Sequence, residues 1–176
     1  MIILSNNLKG RIPIPKDIVI RVNMAWIKTQ LKLDNIIRNI KQDIFLDFPK
    51  GRTKPPMPIL KIEDALVMMK RYNHIKYFAI SNAEDISTMI YLREVIPKHI
   101  TIVPKIETML GITNFEILMK TANSKIAMLD KEDLYLDVKR RNSAFNIFVR
   151  KIRKICKKTN IILLELQGVI FEEKHK

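Results

Sequence analysis

Short apolar, β-branched runs alternate with longer segments of helical period along the 176-residue chain. The runs at 17–23, 43–48, 75–81, 100–107, 124–130 and 160–167 predict strands. Segments 28–41, 62–72, 82–95, 112–122 and 143–158 repeat apolar residues at helical spacing and predict helices. This alternation is the signature of βα units and a parallel sheet. Residues 1–5 offer one more strand, but the link at 6–16 carries Gly10, Pro13 and Pro15 and is too short for a crossover helix. It reads as a loop or an added hairpin. Segment 48–58, with Pro49, Gly51, Pro55, Pro56 and Pro58, must be irregular, because proline removes a donor and restricts the residue before it.

Composition narrows the class. With 47% hydrophobic residues the chain can bury one sizeable core. The single cysteine, Cys156, excludes an intrachain disulfide, and a zinc site would need that thiol with His74, His99 and His175 from scattered positions. A reducing, cytoplasmic setting is expected. No apolar run approaches the length needed to cross a bilayer, so no membrane partner is expected. The formal charge of +14 favours anionic partners. Cations are densest at 139–158, where no acidic residue occurs. Phe145, Phe148, Ile152 and Ile155 recur there at helical spacing, as on an amphipathic helix with a solvated outer face. Nucleic acid is therefore the weaker expectation and a small anionic molecule the stronger.

The candidate chemistry begins at Val103-Pro104-Lys105-Ile106-Glu107-Thr108. Strand alternation puts Lys105 and Glu107 on one face and turns Ile106 into packing. One βα unit later, Asp130, Glu132 and Asp133 supply oxygen ligands of the kind magnesium takes, one or two per site. The alternatives for such an acidic loop are solvated charge or a helix N-cap. Trp26 and Tyr135 are expected to pack rather than stack on a ligand, and Met68 and Met69 to belong to the core.

These residues resemble the pyruvate kinases. That family carries Ala-Lys-Ile-Glu-Asn, then a helix opening with Gly-Val, then Met-Val-Ala-Arg-Gly-Asp-Leu-Gly; this chain has Pro104 to Thr108, Gly111-Ile112, and Met128 to Tyr135. Arg21-Val22-Asn23 is similar to the family's Arg-Leu-Asn strand, and Leu46-Asp47-Phe48 with Lys50-Gly51 to its Leu-Asp-Thr-Lys-Gly. The resemblance implies that Lys105 and Arg21 are catalytic, acting on the enol or phosphoryl oxygen and the phosphoryl group. It also implies that Glu107 and Asp133 hold Mg2+ or Mn2+, and that Asn23 and Asp47 match two ligands of K+. Arg21, Lys105 and Glu132 would contact substrate.

The departures are Glu132 at a family glycine, Ala25-Trp26 at a serine and histidine, Leu166 at a threonine, and only 54–58 where a lid domain is inserted. No counterpart of the carboxyl-terminal allosteric domain is present in 1–176. Metal-dependent pyruvate aldolases and citrate-lyase β-type enzymes of the same barrel superfamily are similar at Ile106-Glu107-Thr108 and Glu132-Asp133-Leu134, where Glu132 is no departure, and they need no lid.

The resemblance implies an α/β fold, an incomplete or minimal TIM-type (β/α) barrel of six or seven parallel strands at 17–176 behind an irregular segment at 1–16. The expected function is a Mg-dependent enzyme acting on pyruvate, phosphoenolpyruvate or a related oxo acid through a metal-stabilised enolate, lyase- or aldolase-like. The alternatives are a pyruvate kinase-type phosphotransferase and a non-catalytic scaffold binding a metabolite, protein or RNA. A closed barrel has eight strands; an open one exposes an edge, which predicts a homodimer or a cover formed by residues 1–15.

Overall fold

The computed structural model describes residues 3–5, 18–53 and 55–165. Seven parallel strands form one sheet: β1 (Ile3–Ser5), β2 (Val19–Asn23), β3 (Ile44–Phe48), β4 (Ile75–Ile80), β5 (Thr101–Ile106), β6 (Ile126–Leu129) and β7 (Ile162–Glu165). Every hydrogen-bonded neighbour is also the next strand in sequence. The helices between them are α1 (Gln30–Arg38), α2 (Ile62–Arg71), α3 (Ile86–Val95), α4 (Met109–Thr113), α5 (Phe115–Ala122), α6 (Lys131–Asp137) and α7 (Asn142–Thr159). The result is an incomplete α/β barrel, as the sequence predicts. β1 pairs with β2 in the register Ile3 to Val19 and Ser5 to Arg21. The connecting loop, the rest of the expected irregular amino-terminal segment, and Leu166 and Gln167 lie outside the described residues.

Alternation along each strand sorts the two faces. Outward residues such as Ile20, Leu46, Phe78, Ile102 and Leu129 pack against the helices in the main core, where Met68 and Met69 are also buried. Inward residues Val19, Phe45, Ala79, Val103 and Met128 form a smaller apolar cluster, with Phe45 stacked on Tyr77. Two residues further along, the same inward face carries Arg21, Asp47, Ser81, Lys105 and Asp130. The barrel thus has a greasy floor beneath a polar mouth at the carboxyl ends of its strands. Asp34, buried on α1, joins α1 to α2 through Tyr72 Oη at 2.8 Å and Arg71 at 2.6 Å.

Helix boundaries depart from the sequence pattern where capping residues act. The helix expected at 82–95 starts only at Ile86, because the Asp85 carboxylate accepts from the Ser87 and Thr88 amides. The helix expected at 112–122 is two helices meeting at Asn114, the first capped by Thr108, whose Oγ1 accepts from the Gly111 amide at 3.1 Å. α6 is not among the helices predicted by period, but the acidic loop realises its helix N-cap alternative: Asp130 caps α6 by accepting from the Asp133 amide. Cys156 is buried on α7, and burial pushes its thiol up to about 11. Among the described residues no helix is long and apolar enough to cross a membrane.

Candidate active site

A cavity of about 430 Å³ opens at the carboxyl ends of the strands. Three of its lining residues are cations, Arg21, Arg52 and Lys105, and five are acids: Asp47, Glu107, Asp130, Asp133 and Asp137. In a chain of formal charge +14, the mouth is net acidic.

Lys105 is the hub. Alternation on β5 turns it inward above Val103, and only 5% of it is exposed. Its Nζ donates to Ser81 Oγ at 2.9 Å and lies 3.0 Å from Glu107 Oε1 and 3.4 Å from Asp47 Oδ1. Asp47, at the end of β3, also receives Arg21, whose Nε donates to Oδ2 at 2.8 Å with Nη2 on the same oxygen. Asp47 Oδ1 forms no hydrogen bond among the described residues; the Lys105 ammonium reaches it at ion-pair distance but without hydrogen-bond alignment. Glu107 continues the inward face one step past β5, and the Asn82 amide donates to its Oε2 at 2.7 Å. Asn82 sits at a φ of +48°, a left-handed conformation that asparagine tolerates, and its side chain donates to the Lys50 carbonyl at 2.8 Å. It thereby ties the loop after β3 to the strand bearing Glu107.

Burial and charge set the protonation states. Burial works to raise the Asp47 pKa, but Lys105 and Arg21 outweigh it and hold the carboxyl below its ordinary range. Burial works to lower Lys105, yet Asp47 and Glu107 outweigh it, so the ammonium titrates above the ordinary lysine value. Glu107 goes the other way: burial raises it more than Lys105 and the Asn82 amide lower it, and Asp130 adds to the rise.

Carboxylate oxygens of Glu107, Asp130 and Asp133 all lie within 4.8 Å of one another. This donor set suits a hard divalent cation such as Mg2+ or Mn2+, and a cation there would offset the burial that raises Glu107 together with the smaller effect of Asp130. The fold therefore brings Arg21, Asp47, Lys105, Glu107 and Asp133 into one cavity.

Asn23 also lines the cavity, with its Oδ1 accepting from the Ala25 amide at 3.0 Å. Asp47, expected beside it as a monovalent-cation ligand, is held by Arg21 and Lys105. Glu132 is exposed on the first turn of α6 and is not among the cavity's lining residues. Trp26, expected to pack, is 60% exposed; Tyr135 does pack, edge-on to Phe145. Sequence reasoning passed over Ser81 and Asn82 as site residues, and it offered Asp130 among the loop carboxylates without assigning it to the metal. Ser81 was recoverable from the inward parity of Tyr77 and Ala79, and Asp130 from the Asp-x-x-Asp capping pattern.

No family model and no curated protein matches the sequence. Among solved structures, the crystal structure of citrate synthase SbnG matches with a TM-score of 0.55, covering 88% of this chain and 78% of that one, at 11% identity. The two share a fold. At this identity the likeness extends to the barrel scaffold alone, and what the cavity does must be argued from its own residues.

Proposed function

We propose that this barrel is a divalent-metal-dependent, lyase- or aldolase-like enzyme acting on pyruvate, phosphoenolpyruvate or a related 2-oxo acid. The observation that carries this reading is the Glu107, Asp130 and Asp133 cluster set beside Lys105 and Arg21 in one cavity. The activity for which the structural neighbour is named, citrate synthase, belongs to the same broad chemistry of carbon–carbon bonds and supports it.

Glu107, Asp130 and Asp133 would hold Mg2+ or Mn2+, which supplies Lewis acidity that withdraws charge from a 2-oxo acid as its enolate forms. Lys105 stays an ammonium, because its pKa is raised. Its role is to stabilise negative charge developing on the substrate oxygen, and not to act as a base. Its Nζ donates to Ser81 and lies at ion-pair distance from Glu107 and Asp47, so binding a substrate oxygen draws the ammonium partly away from these neighbours. Arg21 spends Nε and Nη2 on Asp47, which keeps Nη1 for a substrate carboxylate or phosphoryl group. Asp47 in turn fixes both cations in position.

The test is to titrate Mg2+ or Mn2+ together with oxalate, a mimic of the pyruvate enolate, into the wild type and into Glu107→Ala, Asp130→Ala and Asp133→Ala. Heat and thermal stability are the readouts. Metal-dependent oxalate binding in the wild type, lost in the variants, is expected. No binding to the wild type, or binding that survives all three substitutions, would refute the proposal.

A further inference from the structure

We infer that Asn82 is a positioning residue with two separable tasks: its left-handed backbone sets the Glu107 carboxylate in the metal-binding cluster, and its side chain holds the loop after β3 in place as a wall of the cavity. The inference rests on the metal-dependent reading proposed above and adds to it how two sides of the site are kept in register.

Three consecutive residues after β4 hold the end of β5. Ser81 Oγ accepts from Lys105 Nζ at 2.9 Å, the Asn82 amide donates to Glu107 Oε2 at 2.7 Å, and the Ala83 amide donates to the Lys105 carbonyl at 3.1 Å. The relative direction of the last two amides is set by φ and ψ of the residue they flank, Asn82, whose φ is +48°. Asparagine enters that region at small cost, whereas a β-branched residue there is a strained outlier. Glu107 is consequently held at both oxygens, Oε1 by Lys105 at 3.0 Å and Oε2 by the Asn82 amide. Its orientation is fixed before any cation arrives, with a carboxylate oxygen within 4.8 Å of those of Asp130 and Asp133. Groups that hold a ligating carboxylate in this way are worth about 10–100-fold in metal affinity.

The side chain of the same residue faces the other wall. Asn82 Nδ2 donates to the Lys50 carbonyl at 2.8 Å, and a β-carbon added at Gly51 would stand 3.2 Å from Nδ2, so the loop packs directly on this amide. Gly51, Arg52 and Thr53 of that loop line the cavity. Losing the side chain therefore loosens the wall that a bound substrate meets, and leaves the turn that serves Glu107 intact.

The experiment separates the two tasks in the full chain. Mn2+ binding is followed by loss of the free-ion electron paramagnetic resonance signal, and oxalate is then titrated calorimetrically into the Mn2+-loaded protein. Asn82→Gly keeps the turn and should bind Mn2+ within about threefold of wild type. It should bind oxalate roughly fivefold more weakly, the equivalent of one hydrogen bond. Asn82→Val cannot hold the turn and should lose about tenfold or more in Mn2+ affinity. Asn82→Ala, less strained and available should the valine variant fail to fold, should fall between the two. A lowered Tm with Mn2+ affinity unchanged in the valine and alanine variants would make Asn82 merely structural; that result overturns the inference and leaves the metal reading standing. An equal loss of Mn2+ affinity in the glycine variant would overturn the role of the turn, and unchanged oxalate binding in it would overturn the role of the side chain. A wild type that takes up no Mn2+ would overturn the metal reading and this inference with it.

Discussion

Replacing Lys105 by methionine removes the ammonium from between two carboxylates that are themselves nearly inaccessible: Asp47 is 1% exposed and Glu107 4%. Asp47 keeps Arg21 as a partner. Glu107 keeps only the Asn82 amide, while Asp130 continues to crowd it. Breaking a buried ion pair from one side costs about 3–5 kcal/mol, because the remaining charge is left uncompensated, whereas removing both charges together is close to neutral. Lys105→Met should therefore lower stability by about 3–5 kcal/mol at pH 7.5 in a chelator, a fall in Tm of roughly 6–20 °C for a chain of this size. Adding Glu107→Gln to it should recover more than half of the loss.

The loss should also depend on pH with a defined sign. A carboxyl whose folded pKa is raised contributes stability that is present at low pH and disappears as pH rises through that pKa. The methionine variant, with Glu107 further raised, should be closer to wild type at pH 5 than at pH 8. Urea unfolding followed by circular dichroism measures all four corners of the cycle. A loss under about 1 kcal/mol for the single variant, or no recovery in the double, would refute the view that Lys105 is held by buried charge.

Two further outcomes follow from the same geometry. Asp47 is depressed below the ordinary carboxylate range by Lys105 and Arg21 acting against burial. Its contribution is therefore complete above about pH 4 and lost as pH falls through its folded value; in Asp47→Asn the acid limb of stability between pH 2 and 4 should be shallower than in wild type, and parallel limbs would contradict this. A β-carbon added at Gly111 would stand 2.9 Å from the Ala83 carbonyl oxygen, a backbone atom that cannot swing away, so Gly111→Ala should cost about 1–3 kcal/mol as overpacking, read as a shifted urea midpoint; an unmoved midpoint would show that the loop after β4 yields freely.

Much of this architecture is legible in the sequence, because parallel strands buried on both sides read as near-continuous apolar runs. Lys105 and Glu107 could be placed together from alternation alone, since both lie on or beside one strand. Asp47, Arg21 and Lys105 were each identifiable, but their meeting was not, because it depends on the strand registers and the inward curl of the sheet. The helix boundaries failed where a polar side chain captured backbone amides: Asp85 delays α3, and Asp130 starts a helix that apolar periodicity does not mark and only the N-cap alternative allowed for. Asn82 was missed because its contribution is a backbone amide and a left-handed turn, neither of which a side-chain motif records. Trp26 was misjudged because aromatic burial is a tendency of the residue type, and the short 3-10 turn at Met24–Trp26 turns it to solvent.

The sequential order of the sheet bears on how the molecule can be assembled. In doubly wound sheets, some strands must slot between two others made earlier or later in the chain. Here each strand from β2 to β7 joins the free edge left by its predecessor, so no finished pairing has to reopen. A chain emerging from the ribosome amino terminus first can add one βα unit at a time. The cavity is completed near the end of that process: Asp130 and Asp133 are the last of its charged groups but one to arrive, joining Arg21, Asp47, Lys105 and Glu107 already in place.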